Sequence, residues 1–526
     1  MNKRHLVAVS LLLGALWVFL FWEKTPGVSY PVFVFLCLTA GFALLRSGNH
    51  HPPRVNFLIF GVIVLFSSLT FFRKEVFTRF WDFVVSFISI LLLAGTYRSG
   101  AWKKFSFLDY ISEFFHFLGR LVVLPWKIFF SQMNNPGEVK SARESSVFWK
   151  MLRGLLLSIP ILVVFMILLA AADLIFAQSL ENLLRYFNIH DLLELFLKGL
   201  LILLFTWFYT GLITYAEMYS QRSRGDGREK PVISPILGFT EGATILFSVI
   251  VLYSVFVIIQ IRYFFSGAIN ITSYGFTFSE YARRGFAELV VVAIFSLLLI
   301  QGIRFVINFT TAQQRKIFTA LVAMLVFLVL VILASSFQRL LLYESAFGFS
   351  GLRTVAHVFI IWLGILLISV MVLEFMQKPG LFANAVLAAS VGFVLSLNII
   401  NVDSFIVRQN LKRAHQGLDL DVQYLASLSN DAVPGMVAEY LTGDYSPEIQ
   451  RALGAALACH NQRLRALEND PHANSWQSFH FSDWVAAEWM LKIDDELAAF
   501  PLIKDSYRVF GSEGIEVFCP GFVFSD

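Results

Sequence analysis

Charge is scarce in this chain. Only 15% of its 526 residues are Asp, Glu, Lys or Arg, against roughly 25% in a soluble domain, which excludes a soluble enzyme, a disordered chain and a nucleic-acid partner. Also missing are an HExxH pair, a phosphate-binding glycine loop and a nucleophile elbow, so no motif names a reaction. His50 and His51 are adjacent, and Cys459-His460 has no second pair at ligand spacing, so neither a metal site nor any cofactor is expected. The first outer loop lacks the aspartates of many lipid-linked glycosyltransferases. No internal repeat is visible, which weakens a transporter built from duplicated halves.

What the chain has is apolar length. Hydrophobic residues make up 57% of it, with 56 Phe and a mean hydropathy of +0.69. They gather in runs of about 17 to 25, enough to cross a hydrocarbon core of roughly 30 Å at 1.5 Å per residue. Spans are expected near 6–22, 30–46, 55–72, 81–97, 152–176, 193–217, 240–262, 286–307, 317–336, 354–376 and 381–399. The predicted fold is therefore all-α, a polytopic transmembrane bundle of about eleven helices over 1–399, followed by a small, mainly helical domain over 400–526.

Lys and Arg set the orientation, because short cytoplasmic loops retain positive charge. With the N-terminus inside, the inner segments hold 20 of them and the outer loops 9. An odd number of spans then puts residues 400–526 outside. That tail carries 9 basic and 18 acidic residues, against 32 and 19 in residues 1–399, which marks a domain boundary near Asn401. Residues 107–130 alternate an apolar face (Phe107, Ile111, Phe114, Leu118) with a polar one (Asp109, Glu113, His116, Arg120), the pattern of a helix lying in the cytoplasmic interface. Residues 218–235 read as a cytoplasmic loop, and 263–285 and 337–353 as outer loops.

Ionisable residues collect toward the outer side. Lys198, Arg262, Glu288 and His357 lie just inside span edges, where charge needs a partner or a wet cavity. Glu280, Arg284 and Glu288 repeat at i, i+4 and i+8, so they share a helical face. With Arg283, Arg353 and His357 they form the candidate outer polar face, able to hold a polar or anionic group through its arginines. The bland reading is a self-neutralising cap where a helix enters lipid.

Three segments carry a resemblance. Glu280, Tyr281, Arg283, Gly285, Phe286 and Leu289 form the first, and Asn401, Asp403, Ile406 and Asn410 the second. Asp421, Tyr424, Leu425, Leu428, Ser429, Asp431, Ala432 and Pro434 form the third. Together they resemble bacterial membrane proteins grouped as the domain of unknown function 4173 family, with 4153 as a sister group. Val402 stands where that family usually has Pro, which leaves a rigid turn before Asp403 in question. The resemblance implies a multi-span protein of the bacterial cytoplasmic membrane whose three segments form one assembly on the outer face. It supplies no activity.

In the tail, Ser446-Pro447 reads as a helix N-cap with Pro at the first position, another helix starts near Ser482, and the alternation after Pro501 suggests a hairpin. Cys459 and Cys519 are its only cysteines, and outside the membrane they could pair. The leading functional expectation is a non-catalytic envelope scaffold or sensor, embedded in the lipid bilayer and meeting an envelope protein through residues 400–526. An outer-face enzyme acting on a lipid-linked substrate and a small-solute transporter are the alternatives.

Overall fold

The computed structural model describes residues 2–130, 189–221, 237–264, 285–503, 508–510 and 516–519, with scattered positions between 158 and 178. Among the described residues nine helices are long and apolar enough to cross a membrane, and Asn56–Phe72 is a shorter apolar helix. The apolar helices are α1 (Lys3–Phe21), α2 (Ser29–Ser47), α3 (Asn56–Phe72), α4 (Val76–Thr96), α6 (Ile189–Met218), α7 (Phe239–Phe264), α8 (Phe286–Val306), α9 (Ala312–Phe347), α10 (Gly351–Phe375) and α11 (Phe382–Ile400). Between α4 and α6 lies α5 (Phe107–Phe130). Ten of the eleven expected spans thus coincide with helices. The eleventh, 152–176, falls largely outside the described residues, as do most of 218–235 and 263–285. The chain is an all-α, multi-pass membrane protein.

The helices fall into two compact units. The first comprises residues 1–22, 37–50 and 116–218 and is built on α1 against α6. At Gly14 the two backbones come so close that a Cβ would lie 2.7 Å from the Ile202 carbonyl oxygen. The Thr206 hydroxyl donates to the Ile202 carbonyl at 2.7 Å and lies 3.3 Å from the Ser10 carbonyl of α1. Tyr209 Oη donates to the Cys37 carbonyl at 2.6 Å, midway along α2, and ties in the second half of that helix. The second half of α5 runs antiparallel along α6, with Phe117 on Tyr215 (ring centroids 4.6 Å apart) and Trp126 on Trp207 (6.2 Å). Lys198 pairs with Glu194 and stands 5.3 Å over the Trp22 ring.

The second unit holds the remaining residues. Its centre is α9, which packs against α7, α8 and α10. Phe318, Val322, Leu325, Val329, Ile332 and Leu340 are all fully buried along it, as expected of a helix apolar on all sides. Its 36 residues reach about 54 Å, well beyond a hydrocarbon core of roughly 30 Å. Much of the loop expected over 337–353 is therefore helix, because Phe337, Leu340, Leu341 and Tyr343 continue the period past the charged Arg339. Only residues 348–350 separate α9 from α10, and Gly348 makes the break at φ +83°.

Beyond α11 come α12 (Val402–His415), α13 (Val422–Ser427), α14 (Val433–Thr442), α15 (Pro447–Asn469), α16 (Phe481–Met490) and α17 (Asp494–Leu497). Three short antiparallel strands follow, β1 (Leu502–Ile503), β2 (Arg508–Phe510) and β3 (Glu516–Phe518), in that spatial order. Ser446 caps α15, accepting from Ile449 N at 3.4 Å. Ile406, Leu425, Ala432, Met436 and Leu457 are completely buried in a core that the tail shares with Val355 and Val358 of α10 and Leu397 of α11. Cys459 is disulfide-bonded to Cys519, with Cα atoms 5.3 Å apart, which fastens the end of β3 to α15.

Gly14→Val is expected to lower the thermal unfolding midpoint in detergent, because the added carbons meet the α6 backbone, an overpacking cost of about 1–3 kcal/mol. Gly61→Ala serves as the control, since nothing lies within 4 Å of a Cβ there, and its midpoint should not fall.

Candidate functional site

The polar residues singled out in the second and third segments lie in the second unit, where Asn410, Tyr424 and Asp431 grip two turns between membrane helices. The first turn, Arg73-Lys74-Glu75, joins α3 to α4. The Arg73 amide closes α3 on the Leu69 carbonyl at 3.0 Å, and the next two amides go to the tail: Asp431 Oδ2 accepts from Lys74 N at 2.7 Å and Glu75 N at 2.9 Å. Lys74 Nζ donates to both carboxylate oxygens of Asp483, at 2.8 and 2.6 Å, and Asn430 Nδ2 reaches Asp483 Oδ1 at 2.7 Å. Glu75 turns back to cap α4, accepting from Phe77 N at 2.9 Å and Thr78 N at 2.7 Å. Beneath the turn, Arg73 Nη2 donates to the Asn398 carbonyl at 2.8 Å, and Asn398 Nδ2 donates to the buried Asp82 Oδ1 at 2.8 Å.

The second turn is 348–350. Asn410 brackets Phe349, accepting its N–H at 2.8 Å and donating to its carbonyl at 3.0 Å. Tyr424 Oη accepts from Gly351 N at 2.8 Å, and Arg413 Nη2 donates to the Ser345 carbonyl at 3.1 Å. A Cβ on Gly348 would stand 2.9 Å from Asn410 Oδ1, so both the backbone conformation and the space require glycine there.

Local sequence places these groups. Asn401 ends α11 with φ +53°, and Val402 opens α12 with its side chain buried at 2% exposure. The turn before Asp403 is made by the left-handed Asn401, with Val402 at a position where Pro would be tolerated. Asp403 Oδ2 accepts from Ser429 N at 2.8 Å. Asp421 caps α13 through Tyr424 N at 2.9 Å, and Ser429 accepts from Asp431 N at 3.3 Å.

Burial sets the protonation of the clamp. It pushes the Asp403 carboxyl up to about 7; the nearby Glu75 and Asp431 act in the same direction, and the Ser429 hydrogen bonds oppose them. Burial, then Arg463, pushes His460 down to about 3, so it remains neutral. His460 Nε2 lies 3.2 Å from the Leu425 carbonyl. Burial also lowers His480, whose Nε2 donates to the Thr70 carbonyl at 2.9 Å. Arg463 ties α15 to the Ala426 and Leu428 carbonyls at 2.5 and 3.0 Å.

The outer polar face expected from Glu280, Arg283, Arg284, Glu288, Arg353 and His357 is only partly in view. Glu280, Arg283, Arg284 and the side chain of Arg262 lie outside the described residues, and Glu288 is exposed in the first turn of α8. Arg353 and His357 meet a residue of α9. His357 Nδ1 is 3.5 Å from Oε1 of the fully buried Glu344, with the Phe337 ring edge-on to the imidazole at 4.4 Å. Arg353 donates to the Gly348 carbonyl and lies 4.1 Å over the Tyr343 ring. Among the described residues no three His, Cys, Asp or Glu side chains are grouped to hold a metal ion.

Sequence reasoning missed Lys74, Asp82, Asn398 and Asp483. Asp82 carried a signal, since an acid inside an apolar span asks for a partner. Lys74 and Asp483 are 409 positions apart, and nothing local pairs them.

Asp431→Ala strands two turn amides, which should cost about 1–3 kcal/mol and show as faster hydrogen exchange at residues 73–75 and 430–442. Asp403 binds its proton more tightly folded than unfolded. Its stabilising contribution is therefore full below the ordinary carboxylate range and lost as pH rises through about 7. Asp403→Asn should flatten the fall in stability between about pH 4 and pH 7, measured by urea unfolding at each pH.

No curated protein and no solved structure matches the chain. A family model described as domain of unknown function (DUF4153) matches residues 60–439, a stretch that contains both gripped turns, Asp82, Glu344 and the polar motif positions from Asn401 to Asp431. This is the group expected as the sister of the 4173 family, and the assignment moves to it. With most of its length matched, this multi-pass membrane chain belongs to the DUF4153 family.

Proposed function

We propose that the chain is a non-catalytic scaffold or sensor of the bacterial cytoplasmic membrane, oriented N-in and C-out, which presents its acidic tail to an envelope protein. One observation carries this reading: Asn410 on α12, Tyr424 on α13 and Asp431 in the turn before α14 are spent on the backbone of two membrane turns. Residues used in this way hold a platform rather than await a substrate. The Cys459–Cys519 disulfide supports an outside tail, since such bonds persist in oxidising compartments, and so does the excess of Lys and Arg in the segments expected inside.

The buried Glu344–His357 pair favours the outer-face enzyme as a second reading, because an acid beside an imidazole can move a proton. A deletion strain complemented with Asp431→Ala, Asn410→Ala, Glu344→Gln or His357→Gln separates the two, with tail protease resistance measured in parallel. Under the scaffold reading, complementation follows tail resistance across all four variants. Loss of complementation in Glu344→Gln and His357→Gln with a fully resistant tail would replace it with the enzyme.

A further inference from the structure

At the end of α9 far from the gripped turns, an open groove of about 870 Å³ runs between the start of α9 and the end of α10. Arg315 and Lys316 stand at its mouth, and Ala320, Ala323, Met324 and Phe327 continue it along α9. Phe375 and Gln377 close the other side. Gln377 leaves α10 with φ +54°, and its Nε2 donates to the Thr319 hydroxyl at 3.2 Å, so the floor is fixed. Among the described residues no carboxylate lines the groove. The nearest acid of α10, Glu374, is buried and paired with Arg304 Nε at 3.1 Å. Among the described residues the mouth is therefore lined by cations without a carboxylate, while the interior is mainly apolar.

We propose that this groove binds one anionic phospholipid, its phosphate at Arg315 and Lys316 and one acyl chain along Ala320, Ala323 and Phe327. Length supports the assignment. Phe327 lies twelve positions beyond Arg315, about 18 Å of helix, close to the roughly 15 Å of one hydrocarbon leaflet. Basic pockets between membrane helices suit anionic headgroups, and the two small side chains leave a channel where neighbouring Met324 and Phe327 stand exposed at 46% and 59%. A free phosphate would use the mouth but none of the channel.

The test is native mass spectrometry of the full chain, delipidated in detergent and titrated with phosphatidylglycerol or phosphatidylcholine. The wild type should retain one phosphatidylglycerol per chain with a preference of about tenfold or more, as two cations near a headgroup imply. Arg315→Gln/Lys316→Gln should remove the preference, and Ala323→Phe should reduce retention by filling the channel. Arg54→Gln/Lys104→Gln, exposed cations elsewhere in the same unit, should leave both unchanged, and millimolar inorganic phosphate should not displace the lipid. Preference surviving in Arg315→Gln/Lys316→Gln, retention unchanged in Ala323→Phe, equal loss in the Arg54/Lys104 control, or displacement by phosphate would each overturn the proposal.

Discussion

A membrane helix that ends must hand its last polar groups to something, and in the second unit the tail receives them. Asp431 seats its carboxylate on the Lys74 and Glu75 amides, and Asn410 closes both hydrogen bonds of Phe349. Backbone groups left without partners away from water cost as much as lost hydrogen bonds, so each of these bonds ties a turn to the tail. This accounts for the tail sharing a compact unit with α3, α4 and α7–α11, although its composition sets it apart.

The electrostatics of the clamp follow from the same constraint. Lys74 is neutralised bidentately by Asp483, and Arg73 gives its protons to the Asn398 carbonyl rather than to an acid. The carboxyls left over lie deep, and burial lifts Asp403 toward neutrality. His460, under a cationic neighbour, is held uncharged. Asp403 favours the fold on the acid side and His460 above its own ordinary range, so the two titrations pull the tail's stability in opposite directions. The length of α9 serves both ends of the unit, since its last turns meet Arg413 and its first turns carry the cations of the lipid groove.

Much of the fold was legible in hydropathy, because crossing a bilayer forces an unbroken apolar run, and ten expected spans are helices. The tail was legible too: Ser446-Pro447 opens α15 where a cap and a first-position proline require it, and the alternation near Val509 and Val517 is a paired register. Less legible was the end of α9, where Arg339 and Glu344 looked like the edge of a loop. Both residues lie within a helix longer than a hydrocarbon core requires, with Glu344 meeting His357.

The sequence by itself determined a multi-pass helical protein with an acidic helical tail, since composition and periodicity are local properties that lipid and water read directly. Its motif residues were visible through likeness, without their partners. Only the tertiary structure decided that Asn410 serves Phe349, that Tyr424 serves Gly351 and that Asp431 serves a turn more than 350 positions earlier. Hydrogen bonds join whatever groups the packing of helices brings within 3 Å, and that packing depends on the whole chain at once.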